Sequence, residues 1–498
     1  MCKSKGRYKM RINIGIGKTA AVFAALTVCC CAMAQDVDVS DIDSVAHDSS
    51  TLLGKLAHAV SQNHFNLFAT AMFLLSIVHA FFYGEFLYLS NRIKVEGEHA
   101  SNFREVLIRF LRFLSEVEII FALWLLPLFI GYTYYYGWDS LVSYIDDMAY
   151  QKERFAEPVF VLVIMSISAT RPIVDFASGA IESVAKLWGN TIKAWWCCIL
   201  MVGTLLGSFI TEPAAITICA MLLAEHFFKY SPSNKFKYAT LGLLLVAISI
   251  GGTLTPFAAP PVLMVKKPWN WDFSFMLTTF AWKSAFAIAI SVLSYAFLFR
   301  KEFAALQKKK DEDTAAVSER PKSPSWLVAC HLVFLVSSIL LMHYTVFIVF
   351  LFFMFLGLIK ITLPFQDKFK VENPLLVCIF LASLVIHGSF QAWWIEPVLG
   401  SLGDVSIFLG SIFLTSFNDN AAITYLATLA PSFSDEAKYL IVSGAVTGGG
   451  LTLIANAPNL AGASILKPFF KNAISPMHLF LGAIFPTVVA ALIYFFTV

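Results

Sequence analysis

The chain has 498 residues, of which 58% are hydrophobic and only 14% are Asp, Glu, Lys or Arg, and its formal net charge is +3. A soluble domain carries about 25% charged residues, so this chain has too little polar surface to cover a soluble core. Modest Gly and Pro content and the small net charge also exclude a collagen-like chain, a disordered chain and a nucleic-acid-binding protein. The composition predicts an all-α polytopic membrane protein.

Residues 1–34 have the pattern of a secretory signal peptide. Five basic side chains between 3 and 11 precede an apolar stretch at about 20–31, and the sequence Ala-Met-Ala follows at 32–34. Small residues at these positions favour cleavage after residue 34. The alternative is a first helix that stays in the membrane. After cleavage, residues 35–65 form a short extracytoplasmic tail that is acidic at its start.

Ten apolar segments are long enough to cross a bilayer with a hydrocarbon core about 30 Å thick. They lie near 66–90, 106–136, 157–171, 238–265, 277–300, 326–342, 344–360, 374–389, 438–466 and 476–497. Two further apolar stretches, 194–228 and 403–431, are interrupted near their middle and are predicted to be re-entrant hairpins. When the cleaved N-terminus is placed outside, basic residues concentrate in the predicted inside loops, as the positive-inside rule requires. We therefore expect a protein of the bacterial inner membrane with both termini extracytoplasmic.

Two motifs occur twice along the chain in the same order. Residues 211–217 read TEPAAIT and residues 418–424 read NDNAAIT, which is an offset of 207 positions. Downstream, the segment rich in Gly and Pro at 251–262 has a counterpart at 448–460, at an offset of 198. The first motif falls at the middle of each predicted hairpin, and the second falls inside a predicted span. The repetition predicts that the chain consists of two homologous halves.

The halves cover 66–300 and 326–498 and are joined by a charged linker, 301–325, which is predicted to lie in the cytoplasm. Each half has about five transmembrane helices, a re-entrant hairpin and an unwound helix. Because five is an odd number, the halves are expected to be inverted relative to each other in the membrane. In the first half we expect a scaffold at 66–136 and a transport part at 157–300. Inverted repeats with interrupted helices are typical of secondary transporters.

The interruptions supply groups that can bind a small cation. Unwound segments free backbone carbonyl oxygens, which are ligands for Na⁺ at mid-membrane. Each hairpin tip also carries an acid, Glu212 in the first half and Asp419 in the second. An acid at this depth costs about 2.5–3.5 kcal/mol, so it predicts a function. One carboxylate can hold a proton or Na⁺ but not both. The alternative is that both acids only cap helix N-termini.

The pairing of an acidic hairpin tip with a downstream Gly- and Pro-containing break resembles the ion transporter superfamily. That superfamily includes divalent anion/Na⁺ symporters, arsenite exporters and NhaD-type Na⁺/H⁺ antiporters, and the chain is most similar to the NhaE group over residues 60–498. The resemblance implies Na⁺ and H⁺ as transported ions, no further cofactor, and alternating access. It also implies the ion-binding positions Thr211, Glu212, Asn418, Asp419 and Asn420 at the tips, and Gly252, Thr253, Thr255, Gly450, Thr452, Asn456 and Asn459 in the breaks.

One departure from the superfamily pattern bears on the substrate. The dicarboxylate branch has Ser-Asn-Thr at its tips, whereas this chain has a carboxylate at each tip, which argues against an anionic substrate. Pro213 replaces the tip Asn in the first half, so the two halves need not bind ions equally.

Other polar residues in the apolar segments have a structural and a functional interpretation. Arg171 and Asp175 lie four residues apart and form either a structural ion pair or a gate. Glu116 belongs to the predicted scaffold. His387 flanks the arm that follows the predicted span 374–389 and is either a pH sensor or a helix-end residue.

The sequence hypothesis is a secondary Na⁺/H⁺ antiporter that contacts membrane lipid, forms a homodimer by analogy with its relatives, and binds no nucleic acid. It is not an enzyme, since the chain lacks HExxH and Gly-x-Ser-x-Gly motifs, and the lack of a nucleotide-binding loop argues against an ATP-driven pump. The alternative is a Na⁺- or H⁺-coupled transporter of a small organic or inorganic anion. An ion channel and an intramembrane enzyme are the remaining classes.

Overall fold

The computed structural model describes residues 51–95, 102–151, 153–312, 321–369, 371–471 and 473–498. Every regular element in this part of the chain is a helix, which confirms the predicted all-α class. The predicted signal peptide and the start of the tail lie outside the described residues. The end of the tail contains a short helix.

Fourteen helices precede or belong to the linker, and nine follow it, within the described ranges. The first set is α1 (Leu52–Gln62), α2 (Phe65–Phe81), α3 (Tyr83–Val95), α4 (Asn102–Phe113), α5 (Val117–Tyr136), α6 (Trp138–Asp146), α7 (Ala156–Ser168), α8 (Arg171–Leu187), α9 (Ile192–Ile210), α10 (Glu212–His226), α11 (Asn234–Gly251), α12 (Pro260–Trp269), α13 (Phe273–Leu298) and α14 (Arg300–Glu312). The second set is α15 (Ser325–Leu340), α16 (Thr345–Ile361), α17 (Glu372–Ser389), α18 (Ala392–Leu399), α19 (Asp404–Thr415), α20 (Asn420–Ala427), α21 (Asp435–Gly448), α22 (Pro458–Leu466) and α23 (Pro476–Phe496).

Six of the described helices are long and apolar enough to cross a bilayer. The number is eight when two bent pairs each count as one span, α2 with α3 at 52° and α7 with α8 at 68°. Helices α15 and α16 are apolar but shorter. The predicted crossing at 438–466 is divided between α21 and α22, with the second glycine-rich motif between them. Ten crossings and their inversion therefore stay predictions.

The predicted span at 106–136 differs from the structure in one respect. Helix α4 ends at Phe113, and α5 begins at Val117 after a short break in extended backbone at Glu116. Helix α4 carries three arginines and one glutamate among its twelve residues. Such a charge density is unfavourable inside a bilayer, so the apolar crossing begins only at α5.

The buried apolar side chains form two clusters. The first cluster takes most of its residues from α2, α5, α7, α16 and α17, and the second takes most of them from α8–α14, α19, α21 and α23. Helix α20 contributes to the first cluster, where Ala421, Ala422 and Tyr425 are packed. The chain therefore packs as two groups of helices, with the second hairpin reaching from one group toward the other.

Loops that the sequence predicts on the extracytoplasmic side lie together in the structure. Glu153, after α6, pairs with Lys267 at the end of α12 at 2.8 Å, and Lys266 lies 3.4 Å from the His343 ring. The hydrogen bond and charge of Lys267 hold the pKa of Glu153 below its ordinary value. Because both partners are exposed, this ion pair contributes little stability.

Loops that the sequence predicts in the cytoplasm lie together as well. In the linker helix α14, Gln307 Oε1 accepts a hydrogen bond from the Ile192 backbone N–H at 2.9 Å. Beyond it, Lys322 pairs with Glu182 of α8 at 2.9 Å. The linker is thus held against the base of the first hairpin. The two polar faces agree with the predicted grouping of loops, while the choice of cytoplasmic face stays a prediction.

Candidate functional site

The first hairpin is formed by α9 and α10, which run antiparallel and close together. A Cβ on Gly203 would overlap the Cys219 Sγ at 2.6 Å, and a Cβ on Gly207 would lie 3.1 Å from the Ala215 Cβ. The tip is Thr211, with φ 78° and ψ 149°. A branched side chain rarely adopts this conformation, which costs on the order of 1–3 kcal/mol and is found mainly where function requires it.

Glu212 follows the strained tip residue and is fully buried. Its Oε2 accepts a hydrogen bond from Asn456 Nδ2 at 2.9 Å, while its Oε1 has no hydrogen-bond partner. Gly252 of the first break lies against the same carboxylate, since a Cβ there would collide with Oε1. The neighbouring Thr211 hydroxyl also has no partner. The structure thus brings four predicted site residues together.

Asp419 occupies the corresponding tip in the second half and is buried, with 6% of its surface exposed. Its Oδ1 accepts the Ala421 N–H at 2.9 Å, and its Oδ2 accepts the Ala457 N–H at 2.9 Å. Ala457 directly follows Asn456, the residue that holds Glu212. Both tip acids therefore converge on the same point of the second break, which only the folded chain determines.

Helix capping explains the position of Asp419 better than that of Glu212. Asp419 caps α20 through the Ala421 N–H, as the structural interpretation requires. Glu212 makes no capping bond to its own helix, and one of its oxygens is buried without a partner. An unpaired buried oxygen is costly. Helix capping therefore accounts for Asp419 but not for Glu212.

Two predicted ligands of the first break hold the backbone in place. The Thr253 hydroxyl bonds to Ile250 O and to Ser284 Oγ, each at 2.7 Å. The Thr255 hydroxyl donates to Ser208 O on α9 at 2.6 Å. These contacts tie the non-helical segment between α11 and α12 to the first hairpin. Both threonines thus fix the position of the break beside Glu212.

The second break is held by two predicted residues. Asn459 Nδ2 donates to the carbonyl oxygens of Gly449 and Thr452 at 2.7 and 2.9 Å. The Thr452 hydroxyl donates to Ser416 O at the second hairpin at 2.7 Å. Gly450 packs against the backbone of α11, where a Cβ would not fit. The two breaks and the two hairpins therefore interlock.

The remaining tip residues bond to different parts of the molecule. Asn418 Oδ1 accepts the Asp419 N–H at 2.9 Å. The Asn420 N–H donates to Ala455 O at 3.1 Å, and Asn420 Nδ2 lies 3.4 Å from Ser249 Oγ on α11. Asn420 thus connects the second hairpin to both the second break and the first half.

A second group of buried oxygens surrounds the glycines at 448–450. Thr415, Asn420, Thr447 and Asn459 each have a buried side-chain oxygen without a hydrogen-bond partner. Thr415 and Asn420 lie against the first two glycines, and Asn459 bonds to the second. Sequence reasoning missed Thr415 and Thr447. Hydroxyl and amide oxygens of this kind are suitable ligands for a hard cation.

The sequence repeat contains a signal from which Thr415 and Thr447 could have been predicted. The offset of 207 that aligns the tips also aligns Ser208 with Thr415. The offset of 198 that aligns the breaks aligns Ser249 with Thr447. A hydroxyl therefore stands beside the interrupted helix at matching places in both halves.

Arg171 and Asp175 lie away from the tips and hold the end of the linker. Arg171 Nε is 3.6 Å from Asp175 Oδ2, and the Arg171 guanidinium donates to Pro321 O. Asp175 Oδ2 accepts the backbone N–H and the hydroxyl of Ser323 at 2.9 and 2.6 Å. These contacts favour the structural interpretation of the pair.

His387 lies within the first cluster, and Glu116 lies at its edge. His387 is fully buried on α17, and its Nε2 is 3.0 Å from Phe121 O on α5. Glu116 precedes α5, is exposed, and makes no side-chain capping bond. The contact of His387 joins one helix from each half, which is a structural role.

The donor atoms at the tips and breaks are carboxylate, amide, hydroxyl and carbonyl oxygens. In the described ranges, no group of three or more His, Cys, Asp or Glu residues is arranged to hold a metal ion. Oxygen atoms of these kinds are the ligands that hard cations prefer.

The apolar helices and the interlocked hairpins and breaks have the architecture of a multi-pass membrane transporter. Residues 64–497 match the family described as "Putative Na+/H+ antiporter", and the chain belongs to this family. This match confirms the resemblance seen in the sequence. The chain is also similar to the solved YdaH transporter of Alcanivorax borkumensis, at 13% identity and a TM-score of 0.42 over 76% of this chain and 96% of that one. No curated protein matches this chain.

Proposed function

We propose that this protein exchanges Na⁺ for H⁺ across the bacterial inner membrane by alternating access. The observation that carries the proposal is the convergence of two buried acids from opposite hairpins. Glu212 and Asp419 bond to the consecutive residues Asn456 and Ala457. Family membership is consistent with this assignment.

Competition for the carboxylates couples the two ions. A carboxylate this deeply buried is stable when it is protonated or when a cation lies beside it. Na⁺ that binds to Glu212 or Asp419 takes the place of a proton, which leaves to water. When the site opens to the other side, a proton takes the place of Na⁺. The unpartnered oxygens of Thr211 and Glu212 are the groups that the cation would complete.

The coupled movement needs the site to open to each side in turn. The packing into two clusters suggests that the second cluster, with both breaks, moves against the first. Lipid surrounds the apolar outer surface, and a dimer through the first cluster would hold it fixed. The breaks are tied to both hairpins by side-chain hydrogen bonds, and the contacts of α20 with the first cluster would have to change during the movement.

The function is tested by dye quenching in everted membrane vesicles that contain the protein. A proton gradient is formed, and chloride salts of Na⁺, Li⁺, K⁺ and choline are added in turn, followed by sodium salts of small carboxylates. We expect Na⁺ to dissipate the gradient and choline to leave it unchanged. Dissipation that requires a particular carboxylate would instead support an anion-coupled transporter. A response to no cation would contradict the proposal.

We predict that Gly252→Ala strongly reduces the exchange. The added Cβ would occupy the space of the Glu212 carboxylate, so the acid would have to leave Asn456 or the break would have to shift. Gly179→Ala on α8 is the matched control, because a Cβ there meets no atom within 4 Å. The dye assay, normalised to the protein amount in the membrane, measures both variants. Equal activity of the two variants would contradict the placement of Glu212.

A further inference from the structure

A cavity of about 330 Å³ reaches the end of the second hairpin that lies away from its tip. Glu153, Arg154 and Glu157 line it near the start of α7, and Lys267 lines it at the end of α12. Glu153 and Lys267 are exposed, so the cavity opens to the surface, on the face that the sequence predicts to be extracytoplasmic. At about 30 Å³ per water molecule, its volume holds roughly ten waters. Two acids and two bases balance in its wall, so a partly hydrated small cation can enter.

The inner wall of this cavity is formed by α17 and the second hairpin. Val385 belongs to α17, and Tyr425 and Thr428 belong to the hairpin. Tyr425 has only 4% of its surface exposed, and its hydroxyl donates to Val385 O at 3.0 Å. Its ring fills the space over Gly388, where a Cβ would lie 2.3 Å from Cε1. Tyr425 therefore seals α20 against α17.

Asp419 lies on the wall of a second, much smaller cavity along the same pair of elements. Phe380 of α17 and Glu118 of α5 also line it, and its volume of about 10 Å³ corresponds to the space that one water molecule needs. From Phe380 to Val385 the axis of α17 advances about 7.5 Å, and from Asp419 to Tyr425 that of α20 advances about 9 Å. Both steps lead from the small cavity to the large one. The interface of α17 and α20 thus connects the two cavities, with Tyr425 between them.

The contact that Tyr425 makes can be broken without leaving a buried polar group unsatisfied. Val385 O lies inside α17, where a carbonyl oxygen also accepts an N–H of its own helix. The released phenol hydroxyl would meet water in the large cavity. Since Tyr425 and Asp419 belong to the same hairpin, a movement of α20 away from α17 opens this contact and displaces the ion ligand together.

We propose that the cation reaches Asp419 from the large cavity along the interface of α17 and α20, and that Tyr425 closes this path. The inference rests on the proposed Na⁺/H⁺ exchange. In the structure, the Tyr425 ring and its bond to Val385 O keep the two cavities apart. Separation of α20 from α17 joins the cavities and admits the cation, and the return of Tyr425 to Val385 shuts the path behind it.

The test places one cysteine at a time along the path. Ala422, Tyr425 and Thr428 follow one another at intervals of three residues, on one face of α20 and its end. Thr428→Cys lies in the large cavity, and Ala422→Cys lies on the tip side of Tyr425. Ser432→Cys, in the exposed loop after α20, is the matched control outside the cavity.

Each variant is treated with a membrane-impermeant, positively charged methanethiosulfonate reagent, in spheroplasts and in everted vesicles. The unsubstituted protein gives the background from its own cysteines. The labelling rate is measured from each side, and Na⁺/H⁺ exchange is measured after complete labelling.

We expect Thr428→Cys and Ser432→Cys to react from the same side of the membrane. Labelling of Thr428→Cys should lower exchange about tenfold or more, because a fixed positive charge in the path repels the cation, and labelling of Ser432→Cys should leave it unchanged. Ala422→Cys should react much more slowly than Thr428→Cys. Addition of Tyr425→Ala should raise the Ala422→Cys labelling rate toward that of Thr428→Cys, from that side only.

Tyr425→Phe removes only the bond to Val385 O and keeps the ring, so it tests the closure even if Tyr425→Ala does not reach the membrane. It should raise the Ala422→Cys rate by a smaller factor. The inference is overturned if labelled Thr428→Cys exchanges normally, if Ala422→Cys reacts as fast as Thr428→Cys while Tyr425 is present, or if neither Tyr425 variant changes the Ala422→Cys rate. Absence of Na⁺/H⁺ exchange in the unsubstituted protein would refute the proposed function, whereas the labelling rates need no transport and decide on the path by themselves.

Discussion

Replacing Asp419 with Asn is expected to abolish Na⁺-dependent proton movement while the protein still reaches the membrane. The carboxylate accepts two backbone N–H groups, from Ala421 and Ala457. An amide has a single acceptor oxygen. In the Asn variant, one of the two backbone N–H groups would therefore face the side-chain NH₂ group, which is also a donor. The variant also removes the negative charge at which Na⁺ would take the place of a proton. Both the ligand and the attachment of the second break are therefore affected.

The control for this variant is Asp404→Asn, which changes an exposed acid at the start of the same hairpin. It should exchange Na⁺ for H⁺ like the wild type in everted vesicles. Expression of both variants is compared by immunoblot of the membrane fraction. Wild-type exchange by Asp419→Asn at equal expression would show that this carboxylate is not the ion ligand.

Replacing Glu212 with Gln is expected to reduce exchange at least about tenfold or to change the number of protons moved per Na⁺. The substitution keeps the size of the side chain, and its oxygen can still accept the Asn456 amide. The new NH₂ group would then occupy the place of the unpartnered Oε1 beside Gly252. A donor there cannot bind a cation, and the charge is lost.

Glu225→Gln provides the control, because Glu225 is an exposed acid near the other end of α10. The number of protons per Na⁺ is measured from the membrane potential at which net flux reverses in liposomes. An unchanged rate together with an unchanged reversal potential in Glu212→Gln would assign Glu212 a purely structural role.

The two variants together test whether the halves are equivalent. Asp419 is bonded twice to backbone, whereas Glu212 has one side-chain partner and one unpartnered oxygen. A site with different bonding at its two acids need not bind ions equally, in agreement with the replacement of the tip Asn by Pro213. A larger loss for Asp419→Asn than for Glu212→Gln would make the second hairpin the principal ligand.

Local chemistry explains why several features could be predicted from the sequence. The low charged fraction requires a membrane protein, and the Gly- and Pro-rich segments after α11 and α21 cannot continue as regular helices. The repeated motif places Glu212 and Asp419 at comparable positions in the two halves. Each of these conclusions depends on residue type and spacing along the chain, which the sequence contains in full.

The arginines of α4 could also have predicted that the span at 106–136 is divided. The mean hydropathy of the whole segment is high enough to hide this division. A window over the whole segment contains enough Phe, Leu and Ile to pass as one crossing. The interruption depends on where the charges cluster within the window.

Only the tertiary structure decided which residues meet. Asn456 reaches Glu212 from 244 positions away, and Glu118 of α5 lines the same small cavity as Asp419 of the second hairpin. The sequence by itself determined the membrane class, the two interrupted helices and the acids at their partner hairpins, because these follow from hydropathy and backbone chemistry. It could not determine the pairing across the halves, because pairing depends on how helices pack in three dimensions, and packing is set by all side chains together.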